Sequence, residues 1–561
     1  MKKILLALII FTLLSEINQG FAQNLLGGQV RGDFQLDAQY YNKDKELGIN
    51  DSTLNGKKFG SNAYLNVTYE LGNFTAGVRY EHYLNPLNGF DNQYEGNGFA
   101  YRFLSYKKDN LEVTAGNFYE QFGNGIILRS YQEWNLGFDN SIDGIRVKYR
   151  PYKGVTFKGI VGSQRYFWQK YDSDNRGYLR GADLEFSVNE MFSKLENCKT
   201  QVIIGGSWVS KYQKDDPTSN YKLPENVSAF AGRMNINHGN FGFTAEYANK
   251  INDPTEANSY IFKNGQALLV SANYTKKGLG ITLSAKRIDN MSFKTNRTIE
   301  DIPLDINFIS PLTRQHGYTL LGLYPYSTQA NGEMGGEAQL TYFIKKNTWL
   351  GGKYGTELSL NYSRVQSIDI DSIKIDGMVP YSGTKGYKSD FFKIGNELYF
   401  EDITFELDHK FSKKFKGVFS ISGLSYNKTV MEGEGGMIYA IAEVTDLTYK
   451  LTPTKSLRAE IQHLSTEQDL GNIAYGMIEF DIAPNWFFSV ADQYNYQKKN
   501  NENGEQADRI HYFSGSMGYT KGTTRITLTY GRVRQGLLCV GGVCRQVPAS
   551  SGLTIGISSS F

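Results

Sequence analysis

The sequence predicts an all-β protein, a transmembrane antiparallel up-and-down β-barrel of about 24 strands (20–26). Three observations predict it. Long segments alternate apolar and polar side chains along the whole chain. A strand sends neighbouring side chains to opposite faces, so each segment has an apolar face for lipid and a polar face for the lumen. The segments are too long for a soluble sandwich, whose strands run about 5–6 residues, and match the 9–11 or so of a membrane-crossing strand. Aromatic residues make up 14%, with 39 Tyr and 34 Phe, as girdles at both interfaces require. Hydrophobic residues reach only 40%, and no stretch past the N-terminus is long and apolar enough for a membrane helix. The net charge of +3 and the absence of basic runs give no footing for nucleic acid.

From the N-terminus, Lys2 and Lys3 precede an apolar run from Ile4 to Leu14, and Gly20-Phe21-Ala22 ends the segment. This reads as a signal peptide at 1–22, leaving 23–561 as the barrel. A signal peptide before a barrel implies the bacterial outer membrane. About five residues then lead into the first strand, so no plug domain is expected there, which speaks against a TonB-dependent receptor. No peptidoglycan-binding domain is expected after the last strand.

The first strand, Gly28 to Tyr40, places Val30, Phe34, Leu36 and Tyr40 on one face and Arg31, Asp33, Gln35 and Asp37 on the other. Tight turns follow at 72–73, 108–109, 153–154, 239–240, 277–278, 412–413, 484–485 and 521–522, rich in residues that tolerate positive φ. Looser turns lie near 194–199, 345–350 and 452–454. Longer connections fall near 42–58, 88–97, 120–142, 168–177, 213–224, 251–264, 290–332, 367–395, 428–435, 464–473, 499–507 and 536–550. Eleven turns and twelve connections imply 24 strands, short-looped on the periplasmic side and long-looped outside. Residues 415–427 and 437–449 are apolar on both faces, so part of their inner face is expected to be covered. The last strand carries Leu553, Ile555 and Ile557 on one face and ends in Phe561, which resembles the signal read by barrel-assembly machinery.

Arg31, Asp33, Asp37, Arg79, Glu81, Arg146, Lys148, Glu185, Glu357 and Arg458 are expected to face the lumen. Rings of charge can select solutes, and charges can equally pair across strands to stabilise a wet interior. Their mixed signs give no ion preference. The connection at 290–332 holds Phe308, Ile309, Leu312, Leu320 and Leu321, more apolar residues than a solvated loop needs. Inward folding as a constriction or plug accounts for them, as do a cap over the mouth and a docking surface.

Cys539 and Cys544 flank Val-Gly-Gly-Val in the last external connection, a spacing that suits a disulfide in an oxidising compartment. Cys198 stands alone. The six histidines show no zinc spacing, and no phosphate loop is present. No catalytic residue, metal site or cofactor is expected, and the chain is read as no enzyme.

Gly116-Asn117-Phe118-Tyr119-Glu120-Gln121-Phe122-Gly123-Asn124-Gly125, then Leu128-Arg129-Ser130-Tyr131, together with Asp143-Gly144-Ile145-Arg146-Val147-Lys148-Tyr149 and Leu323-Tyr324-Pro325-Tyr326, carry a resemblance. So do Lys286-Arg287-Ile288-Asp289-Asn290-Met291 and Leu350-Gly351-Gly352-Lys353-Tyr354-Gly355-Thr356. The mature chain resembles an uncharacterised family of large Bacteroidota outer-membrane barrels, a domain of unknown function. The resemblance implies location and architecture and no reaction. Two functions stay open: a passive or gated channel for a polar solute, and a non-conducting barrel serving as subunit of an outer-membrane secretion, assembly or surface-display complex. The partners expected are outer-membrane lipid, the assembly machinery during biogenesis and, in the second reading, the other subunits of that complex.

Overall fold

Alternation of period two leaves each strand one face for hydrocarbon, and closure of the sheet pairs the edges of its first and last strands. In the computed structural model, which describes residues 27–54, 56–168, 177–298, 304–374, 382–496, 509–540 and 543–561, the described strands form one 24-stranded antiparallel sheet. Strands follow chain order from Gln29–Tyr41 to Ser550–Ser560, and these two pair with each other from Asp33↔Ser560 to Tyr41↔Gly552, closing the barrel. Two small hairpins, Gln132–Glu133 with Phe138–Asp139 and Gly536–Val540 with Val543–Val547, stand apart from the wall. The expected signal peptide lies outside the described residues, as do most of the connections at 168–177 and 499–507.

All eleven short turns sit at one end, with both described termini. Gly72, Gly239 and Gly522 each take φ 58°, the left-handed conformation these tight turns require. Ring pairs such as Phe74–Tyr106, Phe241–Tyr274 and Trp486–Tyr519 form a girdle beside the turns, and Tyr80–Phe99 marks the opposite interface. Phe561 extends the last strand by reciprocal backbone hydrogen bonds with Gly32, each 2.9 Å.

The connection expected at 367–395 is shorter than the sequence suggested. The strands Thr356–Ser372 and Tyr387–Lys410 run past their neighbours as a hairpin, leaving only 373–386 between them. Beyond the membrane both faces of a strand can be polar, so Asp369, Asp371, Lys388 and Asp390 gave no strand signal.

Facing is testable by charge insertion. Val490 is 62% exposed on the lipid face, whereas Ser516 points inward beside Thr529. Val490→Arg is expected to lower the unfolding free energy in vesicles by about 2–4 kcal/mol near mid-bilayer, and Ser516→Arg by far less. Equal losses in urea titrations would contradict the assignment.

Candidate functional site

The described parts of the connection, 290–298 and 304–331, enter the barrel. Ile306, Ile309, Leu320, Leu321, Leu323, Tyr324 and Tyr326 are buried, while Phe308 and Leu312 are half-buried. The wall receives the segment through polar contacts. Arg314 pairs with Glu406 at 2.8 Å, four residues from the turn end of its strand at Lys410. His316 Nε2 lies 2.6 Å from Asp402, Tyr318 donates to Asp446 at 3.2 Å, and the Leu320 amide donates to Gln462 at 2.8 Å. Around these contacts, Leu320, Leu321 and Tyr324 pack against Val365, Phe400, Tyr426, Ile438 and Val444, which covers the doubly apolar strands. Full burial of such a side chain contributes about 1.5–3 kcal/mol.

A second lumen segment, 119–141, was not apparent as such in the sequence. Its strand, Leu111–Phe118, has eight residues, after which the chain turns inward. Phe122, Ile126, Ile127 and Leu128 form a core with Ile306, Ile309, Met291, Phe293 and inner-wall residues including Ile142, Leu179, Val227 and Ile288. The Phe-Gly-Asn-Gly run explains itself here. Gly123 takes φ 52°, and a Cβ would lie 2.5 Å from the Glu246 carboxylate. That carboxylate accepts from the Asn124 amide at 2.7 Å and from its side chain at 2.8 Å. The two segments join directly, with Arg129 N donating to Ile306 O and Phe308 N to Gly125 O.

Most expected lumen charges pair. Arg79, Glu81, Asp139 and Arg165 form a buried quartet. Arg165 binds Glu81 and Asp139 at 2.7 Å, Arg79 binds Glu81 at 2.7 Å, and Arg79 also contacts Asp139. Tyr119 donates to Asp139 at 3.0 Å. Burial pushes the Asp139 carboxyl up, but the two guanidiniums prevail and hold it at about 2. Because its pKa is depressed, its stabilising contribution is present above the usual carboxylate range and lost only as pH falls through about 2. Arg146 binds Glu112 at 2.6 Å, Lys148 binds Glu120 at 3.1 Å, Glu185 binds Arg233 at 2.9 Å and Arg458 binds Asp446 at 2.9 Å. Arg31 lies 3.7 Å from Glu70, Asp33 accepts from Asn66, and Asp37 accepts from Gln35. Glu357 is exposed at the turn end, opposite Asp408.

The filling is one-sided. From Asp183 through Arg233, Glu246, Ser363 and Asp402 to Gln462, mid-depth inward residues are buried beneath the segments, with Lys286 and Glu333 buried nearer the outer end and the Ser271–Ser284 pair between them half-buried. On the last and first strands, Ser514, Ser516, Thr527, Thr529, Thr554, Gln35 and Asn66 remain water-accessible. At the outer ends of those same strands Gln493, Asn495, Ser550, Tyr41 and Asn62 are buried again. The roof there is built from 42–54, 56–58, 85–95 and the hairpin that carries the Cys539–Cys544 disulfide. Arg545 of that hairpin donates to Asn135 O and Asn88 O, and Val540 packs with Tyr131, Leu136, Phe138 and Phe308. Cys198 is free and exposed.

The model of a family of unknown function, DUF6029, matches residues 1–561. The chain belongs to that family. No curated protein matches. Among similar solved structures, the P pilus usher (PapC) translocation pore shares 9% identity over 94% of this chain and 99% of that one, with a TM-score of 0.42. The siderophore receptor PirA from Pseudomonas aeruginosa shares 8% over 95% of this chain and 80% of its own, TM-score 0.40. The copper transporter OprC gives 8%, 95%, 80% and 0.40.

Two substitutions test how the segments are held. Glu81→Gln strips the buried quartet of a charge and is expected to cost about 3–5 kcal/mol locally. Hydrogen exchange should quicken in 129–141 and 165–168 while the wall strands stay protected. Gly123→Ala should loosen 119–131 in the same readout. Unchanged exchange in both variants would contradict this anchoring.

Proposed function

We propose that the barrel is a gated outer-membrane channel in which a small polar solute moves along the open crescent between the lumen segments and the wall of the last and first strands. One observation carries the reading. Inward side chains of that sector stay wet at mid-depth and are covered at their outer ends. A plain seal would cover the inner wall evenly, and an open pore would leave its mouth exposed. The crescent wall is hydroxyl- and amide-lined, with charges of both signs in Arg31, Asp33 and Asp37, which suits a polar solute without strong charge preference. The reading assigns no enzymatic step. Phe561 is the contact offered to the assembly machinery, and lipid is the partner of the outer face.

A second reading, a subunit of a larger outer-membrane complex, draws on the hairpin that outruns its neighbours, where Phe392 is 84% exposed beside Ile394. Stoichiometric partners in a gentle pull-down from native membranes would favour it.

Planar-bilayer conductance tests the channel. Wild type is expected to be closed or to flicker. Removal of 536–547 should give a small steady conductance, and replacement of 304–328 by a short flexible linker a much larger one. If the roof deletion stays silent while the plug deletion conducts, the crescent is no pathway and this reading fails.

A further inference from the structure

The wall has a notch. In the strand Gly96–Lys108, only Phe103 to Lys108 pair with the following strand, which ends at Phe118. The next wall strand, Ile142–Tyr152, begins level with that end, at Phe118↔Ile142. Among the described residues, Gly96 to Arg102 therefore have a sheet partner on one side only. Glycine makes the departure: Gly116 takes φ 99°, and a Cβ there would lie 2.3 Å from Arg102 O. Asn117 Oδ1 accepts from the Arg102 amide at 3.0 Å, finishing the ladder at the base of the notch.

The base of the notch carries charge on the lipid side. Arg102 lies opposite the lipid-facing Val78, its side chain is 57% exposed, and its guanidinium lies 3.2 Å from Asp143. Six residues separate it from the turn end of its strand, about 15 Å up a band of about 25 Å. Below it runs an apolar groove of about 480 Å³ along the outer wall, lined by Val67, Ala76, Val78, Leu104 and Ala115, with Arg102 among its lining residues. Inside, Trp168 closes the notch, donating to Tyr94 O at 2.6 Å and standing 3.5 Å from where a Gly98 Cβ would be.

Hydrocarbon cannot satisfy this arrangement. An open sheet edge and an arginine in the apolar band both demand polar partners, and the groove demands apolar ones. We propose that the notch is a lateral binding site for an anionic phospholipid of the membrane, its phosphate on Arg102, one acyl chain in the groove. A guanidinium already on one carboxylate keeps donors for a phosphate oxygen. A strand from a second protein would satisfy the edge but leave the groove and the guanidinium without their complement.

Native mass spectrometry of the full-length protein from nanodiscs containing equal phosphatidylglycerol and phosphatidylcholine tests this. Wild type should retain one phosphatidylglycerol, preferred by about tenfold or more. Arg102→Gln should lose the preference and Arg102→Lys keep part of it, with heat-modifiable gel migration showing that each variant folds. Equal retention of both lipids by wild type, an unchanged preference in Arg102→Gln, or a stoichiometric protein strand on the edge would overturn the site. Conductance is read separately, so the channel reading and this one fail independently.

Discussion

A barrel of 24 strands encloses far more space than its own inward side chains can fill; its backbone is on the order of 45 Å across for ordinary strand spacing and tilt. The rest of the structure answers that constraint. Wall alternation supplies polar inward residues that an empty lumen would simply hydrate. The chain instead spends two long connections inside, and their apolar residues meet inner-wall positions that are themselves apolar, such as Leu179, Val227 and Val444. Those wall positions depart from the period-two rule just where a segment covers them.

Charge anchors what hydrophobic contact alone would leave free to slide. Burying an ion is costly unless it is paired and hydrogen-bonded, and removing one member of a buried pair is costlier still. Lys211 and Lys250, which flank Asp253, donate to Lys294 O and Ser292 O, Lys286, paired with Glu333, donates to Ser310 O at 2.8 Å, and the Arg79–Glu81–Asp139–Arg165 quartet spans wall and loops. Each pairing holds only in one register of segment against wall. Among the described residues no comparable anchor covers the sector of Ser516, Thr529 and Thr554, and those side chains stay water-accessible.

The barrel was legible because its signal is local: a two-residue period and turn residues repeated down the chain. The loop at 290–332 was legible from its excess of leucine and aromatic residues. The segment 119–141 was not, because Phe122 and Ile126 to Leu128 are few and sit among Gly and Asn that read as an ordinary outer connection. An inward tyrosine such as Tyr83 was hidden for a related reason, since a tyrosine near a strand end reads as a girdle ring. The notch depends on where one strand stops relative to a neighbour 24 residues later, from Phe118 to Ile142, which no local pattern encodes.

Thiol accessibility tests the one-sided lumen most directly. In a Cys198→Ser background, single cysteines at Ser516, Thr529 and Thr554 should react rapidly with a small charged maleimide added from the periplasmic side of reconstituted vesicles. Cysteines at Ser363, Thr404 and Gln462, at similar depth under the segments, should stay unmodified until the protein is unfolded. Equal reactivity on both sides of the barrel, or protection of the first set, would contradict a lumen filled from one side.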